Sequence, residues 1–220
     1  MQIKKTIHWY DRFSKIYDWM SDYPYTEPRK AAIETLQLQD GDIILDLFCG
    51  TGINFQSLSE QIGETGKVIA IDASAGMLEK AKARINSLQL NSEQFELYEQ
   101  DLLNLDASFL ASVIPPSVAP KVLQTLGIAG HTDWNSFWDT LFETVPIGTQ
   151  FTTMDVSCPQ GSLSARIITL LGAGEFSTAI ADYQAWLRLK ERCSGYEEKE
   201  YDVFNLLQCS VVVASGMKTQ

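Results

Sequence analysis

Between residues 42 and 101 the chain alternates short apolar runs with stretches of helical periodicity. Ile43-Ile44-Leu45-Asp46-Leu47-Phe48 is almost continuously apolar, the pattern of a strand covered on both faces. Phe55, Leu58 and Ile62 then recur at helical spacing over 53–62, and Gly63 and Gly66 close that segment. Val68–Asp72 predicts a second strand. Ser74 is placed to cap a following helix whose apolar face is Met77, Leu78, Ala81, Ile85 and Leu88. Phe95–Tyr98 predicts a third strand, ending near Asp101. Three strands separated by single short helices imply βαβ crossovers, hence a parallel sheet with helices on both sides.

The second half is less regular. Pro115, Pro116 and Pro120 interrupt the chain before a fourth predicted strand, Val122–Ile128. A helix over Trp134–Glu143 follows, with Asp133 as its cap, and a fifth strand over Thr149–Val156. Phe176, Ala179, Ile180, Tyr183, Trp186 and Leu187 fall on one face of a helix over 175–190. Tyr196–Val203 and Leu206–Ala214 read as two terminal strands, joined too closely for a crossover and therefore a hairpin. No internal repeat, low-complexity tract or flexible linker divides the 220 residues. One domain over 1–220 is expected.

Composition narrows the function. With 45% hydrophobic residues the chain can bury a large core, about 70% of its unfolded surface. Seventeen basic against 28 acidic residues leave a net charge of −11. Such a surface repels phosphate backbones and anionic bilayers, which argues against a nucleic-acid partner or a charge-held membrane site. No apolar run approaches the ~20 residues of a membrane helix. The N-terminal MQIKKTIHWYDRF lacks the apolar stretch of a secretion signal, so a cytoplasmic location and no stable membrane insertion are expected. Cys49, Cys158, Cys193 and Cys209 are scattered without a C-x-x-C pair, a spacing that reads as four small buried thiols and not as a zinc site or disulfide framework. The two histidines, His8 and His131, are too few for a three-histidine zinc centre. No metal is expected.

The chemistry begins at Asp46-Leu47-Phe48-Cys49-Gly50-Thr51-Gly52. Glycines at a strand-to-helix turn let a ligand reach the backbone, and the helix beyond offers unpaired N–H groups and a positive dipole end. Alone, G-x-G also suits an ordinary tight turn. Asp72 ends the next strand, 20 residues after Gly52, where a carboxylate can accept both hydroxyls of a ribose; its bland alternative is helix capping. Asp101 ends the third strand. In a parallel sheet these strand ends face one crevice, and a nucleoside fits there. Phe55 stands where a dinucleotide fingerprint would continue with glycine, and the G-K-[ST] of a phosphate loop is absent. A phosphate-free nucleoside such as S-adenosylmethionine is therefore favoured over a nicotinamide dinucleotide.

ILDLFCGTGINF, VIAIDASAGMLEKAKARI and YEQDLLNL resemble, in order and spacing over about sixty residues, motifs I, II and III of class I S-adenosylmethionine-dependent methyltransferases. The closest likeness is to the ubiquinone/menaquinone-biosynthesis and phosphatidylethanolamine N-methyltransferase-like branch, where a Tyr-Asp segment lies upstream as Tyr17-Asp18 does here. The family often has glycine where this chain has Phe48. The resemblance implies a three-layer, doubly wound α/β fold, a mostly parallel seven-stranded sheet with an antiparallel C-terminal hairpin. The chain then reads as an aromatic helical lid (1–30), a cofactor-binding core (31–158), a helical acceptor-side segment (159–195) that either shapes the acceptor pocket or simply covers one sheet face, and the terminal hairpin (196–220). It implies that Phe48, Gly50, Thr51, Gly52 and Asn54 hold the methionine and ribose portions and that Asp72 takes the ribose hydroxyls. Ala73 and Met77 would flank the adenine, Asp101 and Leu102 read its edge, and Thr125 or Leu126 lie under the methionine. Tyr17 is a further implied cofactor contact.

On the acceptor side, Trp9, Tyr10, Phe13, Tyr17, Trp19, Tyr23 and Tyr25 make the N-terminus aromatic-dense. This reads either as a lid able to cradle a cationic amine or as ordinary core. His131, in the loop after the fourth predicted strand, is the candidate general base, against the plainer reading of a structural histidine. The expected function is methyl transfer from S-adenosyl-L-methionine to a small-molecule acceptor: an amine, phenol or polyketide-like compound first, a phospholipid or quinone second. A non-catalytic nucleoside-binding module of the same fold and a nicotinamide oxidoreductase are the competing readings.

Overall fold

The computed structural model describes residues 25–116, 118–128, 134–157, 184–204 and 209–219. A helix over 25–35 (α1) leads into β1 (Ile43–Leu47), α2 (Phe55–Ile62), β2 (Lys67–Asp72), α3 (Ala75–Ser87) and β3 (Phe95–Glu99). Then come α4 (Ala107–Val113), β4 (Lys121–Thr125), α5 (Asn135–Thr144), β5 (Gln150–Ser157), α6 (Ala185–Arg192), β6 (Cys193–Phe204) and β7 (Cys209–Lys218). The seven strands form one sheet in the order β3-β2-β1-β4-β5-β7-β6. Strands β1 to β5 are parallel, whereas β7 runs antiparallel between β5 and β6. This is the mostly parallel α/β sheet with an antiparallel terminal hairpin that the sequence implies.

Strand periodicity sorts side chains onto two cores. From β1, Leu45 and Leu47 face one side with Ile69, Ile71, Val122 and Phe151, and α4, α5 and α6 cover them through Leu110, Phe137, Leu141 and Leu189. Ile44 faces the other side with Val68, Ala70, Leu123 and Met154, beneath Ile33 of α1 and Leu36 just after it, Phe55 and Leu58 of α2 and Ala81 of α3. The continuous apolar runs of β1 and β2 follow from this double cover.

Several boundaries differ from the sequence reading. β4 stops at Thr125, not Ile128, because Leu126 turns left-handed at φ 64°. Trp134 occupies the N-cap position of α5 without a side-chain cap bond, and Asp133 lies outside the described residues. Leu88 follows the end of α3 and is 41% exposed, so it is not on the buried face. The hairpin is longer than predicted and its partners run from Cys193↔Lys218 to Phe204↔Cys209. Of the predicted 175–190 helix, α6 accounts for the part from Ala185; residues 158–183 lie outside the description. The thiol reading also needs correction. Cys209 is disulfide-bonded, its partner lying outside the described residues, and Cys193 is only half-buried. Scattered spacing without a C-x-x-C pair does not reveal which cysteines pair. Among the described residues no helix is long and apolar enough to cross a membrane.

Two left-handed turns meet at the carboxyl end of the sheet. Phe48, after β1, has φ 56°, an uncommon conformation for a bulky side chain. It sends the ring onto Trp134 and Phe137 in edge-to-face contacts at 5.3 and 5.8 Å between centroids. Gly127, after β4, has φ 103°, and a Cβ there would stand 2.7 Å from Phe48 Cβ. The bare backbone at 127 is what lets the two turns interlock. Gly127→Ala is expected to destabilise the fold by roughly 2 kcal/mol through backbone strain and this clash. Denaturant titration should give a smaller penalty in a Phe48→Gly background, where the opposing Cβ is gone; equal penalties would show that the contact is slack.

Candidate functional site

Asp46 is the only charged residue of β1, and its place in the two-residue period turns it toward α1 and α2. It is fully buried. Asn54 Nδ2 donates to both its oxygens, at 3.2 and 3.4 Å, and to Thr125 Oγ1 at 3.0 Å. Arg29 Nη1 donates to Asn54 Oδ1 at 3.0 Å and Thr125 Oγ1 at 2.9 Å. This buried network ties α1, β1, the start of α2 and the end of β4 together. It also explains why Asn54, at the N-cap position of α2, makes no side-chain cap bond: its amide is turned inward. Burial pushes the Asp46 carboxyl from 3.8 to about 7, opposed by the Asn54 hydrogen bond and the Arg29 charge and reinforced by Asp72.

Asp72 ends β2 on the far side of the glycine turn. Its Oδ2 accepts the Gly50 N–H at 2.9 Å and its Oδ1 the Ser74 N–H at 2.9 Å. The carboxylate thus ties the turn after β1 to the start of α3, whose cap is Ser74 as the sequence predicts: Ser74 Oγ accepts from Met77 N. The two glycines of the turn serve different ends. At Gly50 (φ 54°) a Cβ would approach nothing nearer than 4.0 Å, so the crevice side of the backbone is open. At Gly52 a Cβ would stand 2.6 Å from the Phe55 ring, so this glycine makes room for the core. Arg84, on the last turns of α3, holds the turn from behind, with Nε donating to the Thr51 carbonyl at 3.0 Å. Cys49 is buried between the two aspartates, and burial raises its thiol well above the usual range.

Asp101 caps a short 3-10 turn. Its Oδ1 accepts from Leu103 N at 3.0 Å and its Oδ2 from Asn104 Nδ2 at 2.8 Å. Leu102 beside it is buried, as is Met77, while Ala73 is half-buried. The parallel sheet therefore brings Phe48, Gly50, Thr51, Gly52, Asn54, Asp72, Ala73, Met77, Asp101, Leu102, Thr125 and Leu126 to one edge, the carboxyl ends of β1, β2, β3 and β4. His131 and Tyr17, the candidate base and the candidate lid contact, lie outside the described residues. Arg29 was missed by sequence reasoning. Its one signal is a lone arginine at the start of an otherwise ordinary amphipathic helix, which says nothing of partners 25 and 96 residues away.

Residues 44–115 match the family described as "methyltransferase domain". A demethylmenaquinone methyltransferase from Oceanobacillus iheyensis is 38% identical over 96 residues, 44% of this chain and 40% of that protein. A 2-phytyl-1,4-naphtoquinone methyltransferase from Nostoc is 34% identical over 100 residues, covering 44% and 43%. The chain thus spans about two fifths of the length of these curated relatives. Among solved structures, a Haemonchus contortus phosphoethanolamine N-methyltransferase 2, in complex with phosphomonomethylethanolamine and S-adenosylhomocysteine, superposes with a TM-score of 0.70. It is 12% identical, over 96% of this chain and 58% of that one. The chain carries the class I methyltransferase fold, and the family match runs from β1 to α4, over the glycine turn, Asp72 and Asp101.

The buried Asp46 carboxyl makes stability depend on pH. Its pKa is higher folded than unfolded, so between about pH 4 and 7 the folded state holds the proton more tightly. This contribution to stability is complete below pH 4 and is lost as pH rises to 7. The shift from 3.8 to about 7 is worth roughly 4 kcal/mol at most. Asp46→Asn should therefore gain stability relative to the parent as pH rises from 4 to 8, measured by denaturant titration at each pH. A difference that stays flat with pH would mean that Asp46 is already charged at pH 4.

Proposed function

We propose that the chain is an S-adenosyl-L-methionine-dependent methyltransferase acting on a small-molecule acceptor. The observation that carries this reading is the Asp72 carboxylate, fixed at the crevice by Gly50 N–H and Ser74 N–H. A carboxylate held at the end of the second strand of a parallel sheet is placed to accept the hydroxyls of a ribose. The open backbone at Gly50 suits close approach of a nucleoside. When bound, the sulfonium of the cofactor supplies an activated methyl group and a neutral leaving group. The protein's part is then orientation and charge.

In this reading Asp72 holds the ribose, while Ala73, Met77 and Leu102 enclose the adenine. The remaining acceptor capacity of Asp101 reads the exocyclic amine. Arg29, beside Thr125, supplies positive charge for the methionine carboxylate, and Asn54 fixes the guanidinium at the distance given above. Asp46 acts from beneath, holding Asn54 and balancing Arg29. His131 remains the candidate base, and 1–220 works as one catalytic domain located in the cytoplasm.

For the acceptor, an amine, phenol or quinol-like ring is favoured. The two curated relatives are named for quinone acceptors, and an acidic chain is poorly suited to neutralising phosphate backbones. A phosphatidylethanolamine-like lipid is second.

Calorimetry should detect both S-adenosylmethionine and its demethylated product, and Asp72→Ala should weaken either by about 1.5–3 kcal/mol. No binding of either at millimolar concentration removes the reading, and unchanged affinity in the variant moves the ribose elsewhere. Labelled methyl transfer should appear on soluble amines, phenols or a short-chain demethylmenaquinone. Turnover confined to lipid vesicles or RNA would reverse the order of acceptors.

A further inference from the structure

Asp155 is a buried carboxylate with no part in the chemistry above. It lies near the end of β5 and, two strand periods beyond Phe151, faces the α4–α5 side of the sheet, opposite to Asp46. Its Oδ1 accepts the Val156 N–H at 2.8 Å, its Oδ2 accepts from Gln124 Nε2 at 3.2 Å, and the Ile128 backbone N–H also donates to it. Gln124 Nε2 additionally donates to the Leu126 carbonyl at 2.9 Å, while Gln124 Oε1 accepts from the Thr153 hydroxyl. Two more bonds complete the turn after β4: Leu126 N–H to the Met154 carbonyl at 2.7 Å, and Trp134 Nε1–H to the Ile128 carbonyl at 2.8 Å.

Both backbone groups of Leu126 and both of Ile128 are therefore bonded, and Asp155 with Gln124 supplies one bond to each residue. Leu126 is held left-handed at φ 64°, a strained conformation for a residue with a side chain, so the turn needs this outside grip. The turn borders the crevice twice over. Thr125, one residue before it, joins the Arg29–Asn54 network, and Gly127 carries Phe48 of the glycine turn. Burial raises the Asp155 carboxyl to about 6, so the charged form is disfavoured here. A well-packed apolar core is often as stable as one that buries a charge, so fold stability alone does not explain an aspartate at this point.

We infer that Asp155 is a positioning residue: through Gln124 and the Ile128 amide it sets the Leu126–Ile128 turn, and through that turn the shape of the cofactor crevice. Its effect on cofactor affinity rests on the methyltransferase reading, whereas its hold on the turn does not.

The test uses the full chain in two variants. Asp155→Asn keeps the shape but places an amide against the Gln124 amide; Gln124→Met cuts the same bridge from the other end. Three quantities are measured: hydrogen exchange in the ligand-free protein, melting temperature, and calorimetric affinity for S-adenosylhomocysteine. Both variants are expected to exchange faster in peptides spanning 122–128 while β1 and β2 stay protected. Their melting temperatures should fall by no more than a few degrees and their affinity about tenfold. A merely structural role would speed exchange across the whole sheet and lower affinity only along with melting temperature, and that result overturns the inference. So does affinity within twofold of the parent with turn exchange unchanged. Should Asp155→Asn fail to fold, Gln124→Met decides alone. If the parent itself does not bind S-adenosylhomocysteine, the functional reading fails, and exchange at the turn still decides whether Asp155 holds it.

Discussion

A single amide, that of Asn54, holds the carboxyl end of the sheet together. It meets the Asp46 carboxylate, the Thr125 hydroxyl and the Arg29 guanidinium at once, and all three protein partners come from different elements. Breaking any one of these contacts strands a buried polar group, so the cost is the desolvation of that group and not merely a lost bond. The glycine turn sits directly between this network and Asp72. Its conformation is fixed from the side by Asp72 and from behind by Arg84, and the chain runs from it straight into Asn54. Such fixing matters wherever a ligand is met by backbone groups, because these have no rotamers with which to adapt.

The same edge is secured on both faces of the sheet. Asp46 works toward α1 and α2, Asp155 toward α4 and α5, and each is an aspartate near the carboxyl end of a central strand. Between them Phe48 and Gly127 lock two turns whose left-handed residues would each be strained if isolated. The strain in one turn is supported by packing from the other, which makes the crevice a cooperative unit.

The sequence made the β1–β3 half of the sheet readable and the half beyond it much less so. In β1 and β2 the unbroken apolar runs, the glycines at 50 and 52 and the cap at Ser74 are local signals, and each local choice agrees with the fold. The roles within the turn were harder to separate. Gly50 and Gly52 look alike in sequence, yet one opens toward the crevice and the other accommodates Phe55. Arg29, Gln124 and Asp155 are invisible to pattern reading because their partners lie 25 to 96 residues away, on strands whose order only the sheet defines. The early end of β4 was missed because leucine gives no warning of a left-handed turn.

The last consequence concerns the edge of the sheet. β6 is an outermost strand of 12 residues, long enough to invite a stranger's strand to pair with it. Glu197, Glu198, Lys199, Glu200 and Asp202 all lie on it, most of them exposed, with Lys199 poised over the Tyr201 ring. Charges placed along an outer strand make intermolecular strand addition unfavourable, because pairing would bring like charges together. Four acidic residues and one lysine thus place a net −3 of the chain's −11 where it keeps neighbouring molecules apart. The acidity that first argued against nucleic acid then has a second meaning, as a guard against aggregation.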